Sequence, residues 1–154
     1  FAERCVANGQ VSGIYWAPFS DWGENGSRTM EGSNYKYGEA YLYVNGQPKK
    51  IASRALDPTH PGTRQRMSYF INRFKDLGYK YIKFDFLNNA ILEADSYYDK
   101  NVTTGVQAYN SGMNCAETIC LWLYPLRLHF RLNTAIPVVS VVMLGEPKRI
   151  RNML

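Results

Sequence analysis

The sequence predicts an α/β fold built on parallel strands, and three observations predict it. Two apolar, aromatic runs, "VSGIYWAPF" and "KYIKFDF", bracket the amphipathic stretch "LDPTHPGTRQRMSYFINRFKDLG". The second run begins two residues after the glycine that closes this stretch. Strand, loop, helix, tight turn and strand make a βαβ unit, whose two strands must lie parallel. The chain has 154 residues, 45% hydrophobic and 20% charged, which suits a single domain with its own core.

The elements follow in order. "FAERCVANGQ" reads as the end of a helix, with Asn8-Gly9 as its stop signal. "VSGIYWAPF" reads as a strand ended by Pro18. Residues 20–34, rich in Gly, Ser, Asn and acids, read as a long loop. In "YLYVNGQPKKI", Asn45-Gly46 marks a small β-hairpin. The next helix has Pro61 in its first turn, Thr59 or His60 as N-cap and Gly78 as its closing residue. Met67, Phe70, Ile71, Phe74 and Leu77 share one face of it and predict its core side. Arg64, Arg66, Arg73, Lys75 and Asp76 predict a solvated face. The loop "LNNAILEADSYYDKN" carries Asn88, Asn89, Glu93 and Asp95, and Thr103 or Thr104 caps a further helix.

Parallel strands are covered on both faces and read as near-continuous apolar runs, which fits both strand candidates. Lys83 and Asp85 are the exception. Alternation places them on one side of the second strand, with Ile82, Phe84 and Phe86 on the other. A buried charge is costly unless it is paired or used. The two therefore form an ion pair or stand at the rim of a site. Parallel sheets place their sites at the carboxyl ends of the strands, where Asp85 and residues 18–22 fall.

Several chemistries are disfavoured. Cys5, Cys115 and Cys120 form no CxxC pair, and His60 and His129 are the chain's two histidines, so neither a metal nor a cofactor is called for. The net charge of +5 is uneven: residues 1–114 carry +2 and residues 115–154 carry +3, largely in the "KRIR" run at 148–151. No basic stripe with interleaved aromatics points to nucleic acid, and no run has the length of a membrane span. The chain opens at Phe1 without a signal-peptide pattern and reads as an internal piece of a larger protein, with its compartment left open.

Composition changes after Asn114. Residues 1–114 hold 11 of the 12 tyrosines, 11 of the 12 glycines and every aspartate; residues 115–154 hold no aspartate. We therefore read 1–114 as one unit and 115–154 as an atypical tail, in which "AIPVVSVVMLG" has the look of a strand.

From Gly13 to Met113 the chain resembles the α-galactosidase-like superfamily of retaining glycoside hydrolases, in its "GIYWAPF", "ALDPTHPGTRQ" and "LGYKYIKFDFLN" segments. The resemblance implies part of a (β/α)8 barrel, about two and a half of its eight βα units. It implies an α-linked carbohydrate as substrate, Asp85 as nucleophile and Lys83 in contact with sugar hydroxyls and the nucleophile. Tyr15 or Trp16 would line the sugar subsite. Asp21 and Trp22 join them only by their place after the strand.

A retaining mechanism needs two carboxylates, one to attack the anomeric carbon and one to protonate the leaving oxygen. The superfamily segments resembling "GDDMF.xLSIAP" and "RR(V/I)SCDxWG", the second of which holds the acid/base aspartate, do not stand in this chain. They are compatible with it in a shifted reading frame. The third base of each codon, joined to the first two bases of the next, lets 118–123 encode D-M-F-V-A. In the same frame 124–128 can encode S-I-A-P and 137–146 R-R-V-S-C-D-A-W-G. We therefore read the tail as out of frame from about residues 114–117, and the chain as given as an inactive fragment. Two alternatives are a non-catalytic carbohydrate-binding or interaction domain with a genuine tail, and a metal-dependent barrel enzyme with Asp85 as ligand.

Overall fold

The computed structural model describes residues 1–123 and 140–143. It is mixed α/β, with a small sheet holding one parallel pair and several short antiparallel pairings. The segments at 124–128 and 148–151 lie outside the described residues.

Helix α1, Ala2–Ala7, ends as its sequence requires: Asn8 donates its N–H to the Arg4 and Cys5 carbonyls, and Gly9 takes φ +70°. Strand β1 is Gly13–Trp16. The predicted loop at 20–34 is not wholly irregular. Its first residues form β2, Ser20–Asp21, which pairs antiparallel with a later strand at Arg54–Ala55. A two-residue pairing has no periodicity to read, so it leaves no mark in the sequence. The hairpin forms as predicted between β3, Tyr43–Val44, and β4, Gln47–Pro48. Asn45 and Gly46 both take positive φ (54° and 71°), the combination that matches strand twist in a two-residue turn. Arg54–Ala55 is β5.

Helix α2, Pro61–Asp76, starts on His60, whose ring Nδ1 accepts the Gly62 N–H at 3.1 Å. It stops at Gly78, with φ +82°. Strand β6, Tyr81–Phe84, follows at once and lies parallel to β1, pairing Gly13 with Tyr81 through Trp16 with Phe84. The predicted βαβ unit is therefore present. Helix α3, Gly105–Leu123, is capped by Thr104: its Oγ1 accepts the Gln107 N–H, and the Gln107 side chain accepts the Thr104 N–H in return. α3 runs through residue 114, and Met113, Ala116 and Cys120 all enter one core. Strand β7, Ser140–Met143, pairs with β6 on the side away from β1.

That last pairing is antiparallel, so the sheet β1-β6-β7 departs from the all-parallel expectation. A second departure concerns burial. Ile82 and Phe84 are fully buried on the face that packs against α2 and α3, yet Tyr15 on the other face is half exposed. The parallel pair is covered on one face only, among the described residues.

Two readings of α2 are corrected. Met67, Ile71 and Phe74 are buried and Phe70 packs beside them, but Leu77, the C-cap residue, is exposed. Arg66, assigned to the solvated face, is buried. Its Nε donates to Glu31 and to the Tyr37 hydroxyl, and its Nη1 to the Pro18 carbonyl at 2.9 Å. Its guanidinium also lies over the rings of Trp16, Tyr37 and Phe70. An arginine can be buried when its planar head donates hydrogen bonds to fixed acceptors and its faces meet aromatic rings. The hydrogen-bond partners Pro18, Glu31 and Tyr37 all lie between β1 and β3, so helical periodicity alone could not reveal them.

Candidate functional site

The carboxyl end of β6 gathers the charged residues singled out above. Asp85 follows the strand directly, and its N–H donates to the Trp16 carbonyl at 3.0 Å, which continues the parallel ladder by one residue. Its two carboxylate oxygens are differently engaged. Oδ1 accepts the Phe86 N–H at 2.8 Å, and Oδ2 lies 3.3 Å from Lys83 Nζ. The pair is only partly shielded, with side-chain exposures of 26% for Asp85 and 39% for Lys83.

Tyr15 stands on the same face, as the register Tyr15–Lys83 requires. The Lys83 ammonium is 5.7 Å from its ring centroid. Partial burial raises the Tyr15 phenol above its ordinary range, the Asp85 charge adds to this, and Lys83 opposes it. Tyr15, Lys83 and Asp85 thus form one electrostatically linked group at a strand end.

Trp16 is not part of that group. It pairs in register with Phe84 and faces the helix, with Phe70, Phe74 and Phe84 at centroid distances of 5.1, 5.8 and 6.0 Å. Of the alternatives Tyr15 or Trp16, only Tyr15 shares the Lys83 face. The reason is the two-residue period of the strand.

Asp21 is brought into a network of its own. It is buried, its Oδ1 accepts from Gly23 N–H (3.0 Å) and Arg28 Nη2 (2.9 Å), and its Oδ2 accepts the Tyr41 hydroxyl at 2.6 Å. Burial first, and the Asp21 hydrogen bond and charge second, push the Tyr41 phenol up. Trp22, by contrast, is 53% exposed and meets the ring of Phe86 edge-on at 4.9 Å. Trp22 thus packs on the ring of the residue that follows Asp85 and whose N–H Asp85 accepts.

Phe86 itself was not singled out by sequence. Alternation places it on the apolar side of the strand, but it takes φ 53° in the left-handed region. A bulky residue rarely adopts this conformation, and no pattern of side chains announces it. A 3-10 turn, Leu87–Ile91, follows and is buried through Leu87, Asn89 and Ala90. Asn89 Nδ2 ties this turn to Ser20 and Ser53 by hydrogen bonds of 2.8 and 2.9 Å. The chain after β6 is thereby fixed to the chain after β1.

None of the hydrogen-bond or ion-pair partners of Asp85 among the described residues is a carboxylate. No group of three His, Cys, Asp or Glu side chains among the described residues is arranged to hold a metal. No helix among them is long and apolar enough to cross a membrane. Chemically, the arrangement can present an anionic carboxylate beside an ammonium and an aromatic ring, at the open end of a strand. No protein-family model matches the chain, and no curated protein matches it.

Proposed function

We propose that the chain carries the nucleophile-bearing portion of a retaining glycoside hydrolase of the α-galactosidase-like type, built as part of a (β/α)8 barrel. In this reading the substrate is an α-linked sugar and Asp85 attacks its anomeric carbon. The observation that supports it most is the placing of Asp85. It ends the second strand of a parallel βαβ unit, paired with Lys83 and on the same side as Tyr15. A covalent route needs a carboxylate within reach of the anomeric carbon, and an ammonium beside it can donate hydrogen bonds to sugar hydroxyls. An exposed aromatic ring offers the apolar face that a sugar ring stacks on.

In this reading the 154-residue chain lacks hydrolase activity, because none of the partners of Asp85 among the described residues is a carboxylate. Loss of general acid catalysis typically costs roughly 10²–10⁴-fold. The decisive experiment restores the shifted frame from about residues 114–117 in the whole gene, so that the remaining barrel units are translated with it, and assays the product on an aryl α-galactoside. The restored protein should turn the substrate over and its Asp85→Asn variant should not. An inactive restored protein, or an Asp85→Asn variant as active as its parent, rejects the reading. The rival, a non-catalytic carbohydrate-binding or interaction domain, draws support from the Lys83–Asp85 ion pair, which satisfies both charges without a substrate. Saturable sugar binding without turnover by a well-folded monomer of the 154-residue chain with its own tail would favour it.

A further inference from the structure

We propose that Asp21 is a positioning residue, which sets the Trp22 indole against Phe86 as an aromatic wall beside Asp85 for a ring-shaped, hydroxyl-rich ligand. The ligand half of this proposal rests on reading Asp85 as the nucleophile of a carbohydrate site. The positioning half stands on geometry alone.

Asp21 is 2% exposed, yet the next residue, Trp22, is 53% exposed. A large aromatic left half in water gains little from burial, so packing alone does not explain its placement. The backbone on both sides of it is nevertheless fixed. Asp21 holds the Gly23 N–H, the Arg28 guanidinium and the Tyr41 hydroxyl at once. Arg28 in turn presses on Gly23, where an added Cβ would come within 3.0 Å of Nη2, and lies 4.4 Å over the ring of Tyr37. The indole that emerges from this fixed turn meets Phe86 nearly perpendicular, at 85°.

Backbone strain points to the same corner. Among the described residues three non-glycine residues take positive φ: Glu24, Asn45 and Phe86. Asn45 is explained by its hairpin turn. Of the other two, Phe86 at φ 53° is itself one of the Trp22–Phe86 pair and donates its N–H to Asp85, and Glu24 at φ 51°, two residues past Trp22, is held by Lys50 at 2.6 Å. Strain retained at two points around one exposed aromatic corner is the pattern of a constrained binding site. The exposed indole supplies an apolar face, and Asp85 and Lys83 supply an acceptor and a donor for hydroxyls.

The test uses the full chain with fluorine-labelled tryptophan, read by ¹⁹F NMR. The Trp22 signal is assigned by its loss in Trp22→Phe. Asp21→Asn should shift or broaden that signal and leave the signal of Trp16 unmoved. If Asp21→Asn unfolds the chain, both signals move, and Tyr41→Phe, which removes a single hydrogen bond, then decides. An unchanged Trp22 signal in the folded variants overturns the positioning role. Methyl α-galactoside should perturb the Trp22 signal of the unsubstituted chain, with roughly tenfold weaker binding in Asp21→Asn. Binding that leaves Trp22 unperturbed overturns the wall and spares Asp85. A sugar that perturbs no signal overturns the ligand half together with the carbohydrate reading, while the sugar-free spectra still decide the role of Asp21.

Discussion

The Lys83 ammonium and the Asp85 carboxylate stand 3.3 Å apart at the carboxyl end of β6, with Tyr15 of β1 beside Lys83 and the hydrophobic core behind the strand. Two residues of separation on a strand bring both side chains to the same face, so the pair follows from local geometry. Its position at the carboxyl end of a parallel strand follows from the βαβ connection.

A pair this exposed contributes little to stability. Lys83→Met should change the free energy of unfolding by less than about 1 kcal/mol, measured by urea titration. If Asp85 reacts with sugars, the same substitution should slow that reaction by on the order of 10²-fold, as loss of one charge-stabilising donor does elsewhere. A large stability loss with unchanged reactivity would make the pair structural.

Arg66 should behave in the opposite way. Arg66→Met leaves the Pro18 carbonyl and the Tyr37 hydroxyl without their buried donor. We expect a loss of about 2–4 kcal/mol, seen as a lower urea midpoint. Arg73→Ala, on the exposed side of the same helix, should stay within about 0.5 kcal/mol. Equal effects would contradict the burial assigned to Arg66.

His60 makes stability depend on pH. Burial holds its ring below the ordinary histidine range, against opposing effects of Asp57 and Glu39. Its Nδ1 accepts the Gly62 N–H, and Tyr35 and Tyr98 meet the ring edge-on at 4.9 and 4.8 Å. The folded state therefore favours neutral His60, and the unfolded state binds the proton more readily. The contribution is fully present above the unfolded value of about 6.5 and is lost as pH falls through it towards the lower folded value. His60→Asn keeps an N-cap acceptor but does not titrate. Its urea midpoint should fall less than that of the unsubstituted chain between pH 8 and pH 5.5, and equal falls would contradict the assignment.

Gly112 lets α3 approach the loop before α2. An added Cβ would come within 2.6 Å of Pro58 Cβ and 2.8 Å of Phe19 Cζ. Gly112→Ala should lower stability by about 1–3 kcal/mol despite the better helix propensity of alanine. A more stable variant in thermal unfolding would show that the contact is slack.

The parts of the fold that were legible in the sequence are those with local causes. The hairpin at Asn45-Gly46, the Gly78 stop, the α2 core face at Met67 and Ile71, and the β1–α2–β6 unit all rest on short-range chemistry. The burial of Arg66, the β2–β5 pairing and the antiparallel β7 depend on partners distant in the chain, which periodicity does not reveal. At the candidate site, the shared face of Lys83 and Asp85 was legible from alternation. The choice of Tyr15 over Trp16 needed the β1–β6 register. The aromatic corner at Trp22 needed the left-handed backbone of Phe86, which leaves no trace in residue type.

The most direct test of Asp85 as a nucleophile uses a substrate that requires no general acid. A ring-fluorinated α-galactosyl fluoride expels fluoride without needing a proton. Attack by the Asp85 carboxylate forms an ester bond at the anomeric carbon as the carbon–fluorine bond breaks, and the ring fluorine slows hydrolysis of the ester. Incubated with the full chain and followed by peptide mass spectrometry, it should add one fluorogalactosyl group to the peptide containing Asp85, and none in Asp85→Asn. A chain that stays unlabelled, or one labelled equally in Asp85→Asn, would contradict the assignment of Asp85 as nucleophile.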